Sequence, residues 1–318
     1  MIDRIATLGE GLAIFRADEG EPLWHRETVH VATGGAEANV AMSVARLGIP
    51  VTWLGRVGDD ALGRRIVREL RGEGVDVHAI VDPDAPTGLL VKELHAGGRT
   101  RVSYYRGGSA GSRLTVADAD LLELTRSTLV HLTGITPGLS AGAHGAVERV
   151  LQRARELGAA VSFDVNHRSR LWDAAAASSV YRAIAQRADI VFTSVDEVPL
   201  LAPYWNGGDA DDAAAALAAL GHRHVVVTAG ARGAVAHIDG EVSAVAAVPV
   251  RVVDTVGAGD AFVGGYLAGW ASGQDATERL ELAALLGAAA CRHPGDWEGA
   301  ADLDGLGGLD EGDDPVLR

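Results

Sequence analysis

Lysine is almost missing from this 318-residue chain: of 28 Lys and Arg residues, Lys92 is the one lysine. A phosphate-binding loop of the GxxxxGK[ST] type needs a lysine after its glycines. Lys92 sits instead in TGLLVKEL, so that loop is excluded, and charge for an anionic ligand is expected from arginine. Cysteine is equally scarce. The single Cys291 excludes an internal disulfide and a His/Cys zinc site and fits a reducing compartment. Its surroundings, AAACRH, read as the end of a buried helix, a core position rather than a nucleophile. Positive charge is outweighed by 43 Asp and Glu, leaving a formal charge of −15, which disfavours nucleic-acid partners that need a basic patch. No run approaches the ~20 apolar residues of a membrane span. The start, MIDRIATLGE, carries an acid at position 3 and no apolar signal core. These absences predict a soluble cytoplasmic protein.

Glycine, with 41 residues, is plentiful, and its most informative use lies in VPVRVVDTVGAGDAFVGG, residues 248–265. The stretch reads as a β-strand, a glycine-rich turn and a helix whose first turn carries Asp260. Amides at a helix N-terminus point at an incoming anion, and the helix dipole favours negative charge there. Gly257 and Gly259 let the backbone approach closely, and a carboxylate beside the anion can take a proton from an attacking hydroxyl. A dinucleotide-binding fingerprint would want Gly or Ala where Phe262 stands and no acid inside the turn.

From about residue 36 the chain alternates helices with short apolar strands, the signature of a parallel sheet flanked by helices. Helices are expected near 36–47, 61–71, 141–157, 178–187, 209–220, 258–271 and 276–291. Strands are expected at 51–57, 129–133, 160–165, 190–193 and 225–228. Residues 88–105 break this rhythm and read as two strands around a turn at 96–98. With 12–31, which has no helical period, they predict a small antiparallel sheet projecting as a lid, a device that excludes water from a phosphoryl-transfer site. The expected organisation is one domain over 1–300, its lid formed by about 12–33 and 87–108, and a flexible acidic tail over 301–318.

Two separated motifs, GGAEANVAMSVARLG near the N-terminus and DTVGAGDAFVGG near the C-terminus, resemble the paired signatures of the ribokinase-like (PfkB) sugar kinases. Within that family, GGAEANVA, YYRGGSAGS, HLTGITPGLS, DVNHRSRLW and GDWEGA are similar to stretches of 2-keto-3-deoxygluconate (KDG) kinases. The resemblance implies a three-layer α/β/α sandwich with a mostly parallel central sheet and a β-sheet lid. It implies that Asp260 is the catalytic base toward the C6 hydroxyl and that the amides of Gly257, Ala258 and Gly259 form the anion hole. Gly34, Asn39, Tyr104, Arg106, Arg168 and Asp296 match substrate positions, the two arginines gripping a sugar carboxylate. Thr228, Gly230, Gly233 and Ser194 match nucleotide positions, and Glu197 matches the residue that organises Mg²⁺ through water. ATP and Mg²⁺ are the expected cofactors, with a monovalent cation such as K⁺ admitted beside Asp254.

The chain departs from the family in four places. Ser194 replaces the Asn of the NxxE motif, and Leu90 and His167 stand where tyrosines are common. Ala284 stands where an adenine-side Asn is frequent. Two alternatives remain beside a KDG kinase: a kinase for a neutral sugar such as fructose or ribose, and a non-catalytic sugar-acid-binding protein. A neutral sugar would leave two buried guanidiniums without a partner. The exposed lid edge further predicts a homo-oligomer paired through the lid.

Overall fold

The structure, a computed structural model, describes residues 2–17, 23–95 and 99–299. The expected lid turn at 96–98 and the expected tail at 301–318 lie outside the described residues. The main sheet is built from β1 (Arg4–Leu8), β4 (Val51–Gly58), β5 (Asp76–Asp82), β8 (Thr128–Thr133), β9 (Ala160–Asp164), β10 (Ile190–Ser194), β11 (His224–Thr228), β12 (Ala234–Ile238) and β13 (Glu241–Val245). Four further strands form the lid described below. The nine strands of the main sheet lie in the order β13-β12-β11-β10-β9-β8-β1-β4-β5. From β5 across to β11 the pairs are parallel, while β12 and β13 return antiparallel at one edge.

Among the described residues, seven helices of ten or more residues cover the sheet. Helices Ala141–Leu157, Ala174–Ala185 and Ala210–Ala219 pack on one face with Ala6, Leu8, Leu132 and Phe163. Helices Ala36–Arg46, Ala61–Gly72, Ala258–Ala271 and Ala276–Cys291 pack on the other with Ile5, Trp53, Leu129 and Phe192. Alternate residues of one strand thus feed opposite layers, as the period of two demands, and both faces are apolar because both are covered.

The helix starts divide into two kinds. Five of these helices open on Asp60, Ser140, Asp173, Asp209 or Asp275, whose side chain accepts an amide of the first turn. Helices Ala36–Arg46 and Ala258–Ala271 open instead on glycines in the left-handed region, Gly35 (φ +128°) and Gly257 (φ +80°), and have no side-chain cap.

The lid is a four-stranded sheet formed by β2 (Leu12–Ala17), β3 (His30–Gly34), β6 (Leu89–His95) and β7 (Arg99–Tyr105), in the order β3-β2-β6-β7. The expected antiparallel pair β6–β7 is present, β2 and β3 form a second antiparallel pair, and a parallel pairing of β2 with β6, where a wholly antiparallel lid was expected, joins them. That pairing follows from the connectivity, since both strands begin just beyond the carboxyl edge of the main sheet and run away from it.

Helices 141–157, 258–271 and 276–291 fall where the sequence places them, whereas the helix expected at 178–187 starts earlier, at Ala174, on the Asp173 cap. β1, β5, β12 and β13 are strands that the sequence reading does not place. One expectation fails: 248–253 is not a strand. The amides of Val253 and Asp254 donate to the Cys291 carbonyl at 2.8 and 3.3 Å, so the end of the last helix takes the bonds a sheet would have taken. Pro249, which cannot donate, stands in the same stretch.

Candidate active site

The order of the main sheet reverses around β1: β4 and β5 lie to one side and β8 to β11 to the other. Open parallel sheets collect ligands beyond the carboxyl ends of their strands at such a reversal. A cavity of about 410 Å³ lies there, lined by Glu10 just after β1, Asp164 ending β9, Ser194 ending β10 and Thr228 ending β11. The lid closes it with Leu12, Leu90, Lys92, Val102 and Tyr104, and the loop after β7 adds Arg106.

Asp260 stands in the first turn of helix Ala258–Ala271 and is buried. Asn39 donates Nδ2–H to its Oδ2 at 2.7 Å, and Asn166 donates to its Oδ1 at 3.3 Å. Burial raises the pKa of the Asp260 carboxyl, while the Asn39 hydrogen bond, the Arg168 charge and the Asn166 hydrogen bond pull it down. The result is a carboxylate with two amide donors and a position on the cavity wall, the surroundings of a proton acceptor. Asn166 holds this geometry from a left-handed backbone (φ +38°), a conformation that asparagine tolerates better than most residues.

The two arginines are not equivalent. Arg106 forms a buried ion pair with Glu10 and stacks its guanidinium 4.2 Å above the Tyr104 ring. Burial raises the Glu10 carboxyl and the Arg106 cation opposes it. Arg106 therefore has a partner whatever sugar binds, and the expectation that a neutral sugar strands both guanidiniums fails for this one. Arg168 donates to the His167 carbonyl at 3.3 Å, makes no ion pair among the described residues and lines the same cavity. Gly34 lies against Ile14 and Asp296, and its neighbours Gly35 and Ala36 are the ones on the cavity wall.

Lys92 is a further cation on the cavity wall, and it is paired within the chain rather than left for a ligand. Its side chain is 1% exposed, and its ammonium pairs with Asp254 and, at 3.5 Å, with Asp296. Burial pushes Asp296 up to about 7, with the Lys92 cation opposing it. The turn before Asp260 rests on this cluster: a Cβ on Gly257 would collide with the Asp296 carbonyl oxygen, so only glycine fits. Around Gly259, its own helix backbone and chain neighbours aside, there is no atom within 4 Å of a Cβ, so the turn is open there, and Gly259 lines the cavity. The Ala258 amide, expected in the anion hole, turns back on the Thr255 carbonyl at 3.4 Å.

A second cavity, of about 610 Å³, adjoins the first and shares Thr228, Thr255 and Gly259 with it. Its lining includes Gly230, Gly233, Val248, Val250, Val252, Phe262, Ala284 and Cys291. The expected nucleotide residues Thr228, Gly230 and Gly233 are thus brought together, and the stretch misread as a strand is one of the walls. Cys291 is half-buried on this wall instead of deep in a core.

Glu197 lines the first cavity and accepts from the His167 amide at 2.6 Å, the Ser194 amide at 3.0 Å and the Ser194 hydroxyl at 2.9 Å. Ser194 therefore serves as cap and orienter for Glu197. Burial, then the neighbouring Glu197 and Asp260 carboxylates, push Asp164 well above the usual carboxylate range. Among the described residues no three His, Cys, Asp or Glu side chains are arranged to hold a bare metal ion. Mg²⁺ carried by phosphates keeps several waters and needs only one or two carboxylates, so Glu197 and Asp164 fit it.

Sequence reasoning missed Glu10, Lys92, Asp164 and Asn166. For Asp164 and Asn166 a signal existed, since both stand in the DVNHR motif; for Glu10 and Lys92 none did.

Residues 3–301 match the pfkB family carbohydrate kinase. A 2-dehydro-3-deoxygluconokinase of Thermoproteus tenax is 36% identical over 299 residues, 92% of this chain and 90% of that protein. The 2-dehydro-3-deoxygluconokinase of Bacillus subtilis is 35% identical over 92% of this chain and 91% of its own length. The crystal structure of a fructokinase from Vibrio cholerae, bound to fructose, ADP and calcium ion, superposes with a TM-score of 0.86. It is 28% identical and covers 98% of this chain and 99% of that one.

Proposed function

The chain belongs to the pfkB family of carbohydrate kinases, and from that premise we propose that it phosphorylates the terminal C6 hydroxyl of 2-keto-3-deoxygluconate. Asp260 accepts the hydroxyl proton as the oxygen attacks the γ-phosphorus of ATP. The new O–P bond forms as the bond to the β-phosphate oxygen breaks, and ADP leaves. The amides of Gly257 and Gly259, at an uncapped helix start, face the charge that builds on the phosphoryl oxygens. Asn39 and Asn166 keep Asp260 aimed. The apolar cavity suits the adenine, with Thr228, Gly230 and Gly233 along the phosphates and Ala284 on the base side. Mg²⁺ would be held through water by Glu197 and Asp164, and it neutralises phosphate charge when bound.

The observation that carries the acid-sugar reading is Arg168, a cation that makes no direct ion pair among the described residues, although Asp260, Asp164 and Glu197 act on it from a distance, on the wall of the cavity that holds Asp260. A sugar carboxylate supplies a direct partner. Tyr104, beneath Arg106, lies within reach of the same ligand. A second reading, a kinase for fructose or ribose, draws support from the Glu10–Arg106 pair, which occupies the other expected clamp.

ADP release measured with MgATP against KDG, 2-keto-gluconate, fructose, ribose and adenosine separates them. Turnover confined to the 2-keto acids is expected; faster turnover of fructose or ribose would demote Arg168 to a structural role. Pairing of two copies along the open lid edges β3 and β7 is a further part of the proposal. Light scattering of the purified protein tests it, and a monomer would remove it.

A further inference from the structure

Lys92 belongs to β6 of the lid, yet its ammonium is buried beneath the cavity among groups of the main domain. Both of its carboxylate partners frame the turn that precedes Asp260. Asp254 accepts the Val256 amide at 3.2 Å through Oδ1 and the Gly295 amide at 3.4 Å through Oδ2. The Asp296 backbone is packed against Gly257 so closely that no side chain fits between them. The turn, Asp254 and Asp296 are therefore one packed unit, and the lid supplies its cation.

A monovalent cation at Asp254 does not fit this arrangement. The Asp254 oxygens already face an ammonium and two amide donors, and a further cation beside Lys92 would meet like charge at short range in a poorly solvated place. Resting on the kinase reading above, we propose that Lys92 is a positioning residue: a cation tethered to the lid that takes the place of a free monovalent ion under the Gly257–Asp260 turn. Two consequences separate this role from an ordinary buried ion pair. The enzyme needs no K⁺, and removing the tether creates a need for one.

Wild type, Lys92→Ala and Lys92→Met are compared in KCl, NH₄Cl and choline chloride at one ionic strength, by ADP release and by melting temperature. Wild-type kcat is expected to stay within about twofold across the three salts, with an unchanged melting temperature. Lys92→Ala in choline should lose on the order of 100-fold in kcat, the scale of a misplaced catalytic frame. K⁺ or NH₄⁺ should restore at least part of that loss and raise its melting temperature. Lys92→Met fills the space without charge and should lose activity without rescue.

Strong activation of wild type by K⁺ would overturn the proposal. So would a Lys92→Met enzyme within about twofold of wild type in choline, or a folded Lys92→Ala protein that responds to no monovalent ion. If neither variant folds, the wild-type salt series decides. If wild type turns over no sugar, the kinase reading falls, and the melting temperatures in the three salts still decide whether Lys92 excludes the ion.

Discussion

Two cavities meet at Thr228, Thr255 and Gly259, and they are made of opposite materials. The walls of the first carry Glu10, Lys92, Arg106, Asp164, Arg168, Glu197, Asp260 and Asp296. Among the described residues, the walls of the second carry no Asp, Glu, Lys or Arg and are drawn mainly from Gly, Ala and Val. On the proposed function, charge is concentrated where a proton and a phosphoryl group change hands, and it is absent where a flat, uncharged base has only to be held. Buried charges are expensive, and of these two cavities only one carries them.

Substitutions on one side should leave the other side untouched. The largest expected effect comes from Asp260→Asn, which keeps the shape and the Asn39 contact but removes the proton acceptor. Turnover should fall by roughly 10²- to 10⁴-fold, while ATP and sugar still raise the melting temperature as they do in wild type. Retained turnover would remove Asp260 from the chemistry.

Arg168→Ala comes next. Loss of a charge-assisted hydrogen bond pair should raise KM for the sugar acid roughly 10- to 100-fold. KM for ATP should stay within about twofold, and a change of both by the same factor would mean that the residue supports the fold and not the ligand. Ala284→Leu addresses the apolar cavity. It should raise KM for ATP about tenfold through overpacking and leave the sugar unaffected.

The smallest effect near neutral pH is the acid limb of kcat/KM. The Asp260 pKa is raised by burial, and its protonated form cannot accept a proton, so activity must fall as pH drops through that raised value. The limb should lie above the range of an ordinary aspartate, whereas thermal-shift titration of nucleotide binding by the apolar cavity should show no matching limb. A limb at the ordinary carboxylate position would contradict the desolvated site.

Much of this contrast was legible before the fold was known. DTVGAGDAF announces a turn and a carboxylate through residue types that few other structures require, and helices 258–271 and 276–291 follow from period and length. The stretch 248–253 departs from the strand reading for a physical reason: Val-rich runs favour strands, but here the run walls the apolar cavity and the Val253 amide goes to the Cys291 carbonyl. Lys92 was hidden for another. In TGLLVKEL it sits in a strand pattern where a lysine ordinarily faces solvent. Only the fold brings it to Asp254 and Asp296, 162 and 204 residues away. Glu10 is unreadable for the same reason, since its partner Arg106 lies 96 residues on.

The two helices that open on Gly35 and Gly257 lack the side-chain cap that Asp or Ser supplies to the other five. At the Gly257 start the Ala258 amide turns back on the Thr255 carbonyl, and no side chain caps the turn. On the proposed function, an anion bound at that turn would complete a helix as well as occupy a site, and it would add to folding stability in proportion to the logarithm of its concentration. The protein without its ligands would then be, at that turn, an unfinished fold, and binding its last folding step.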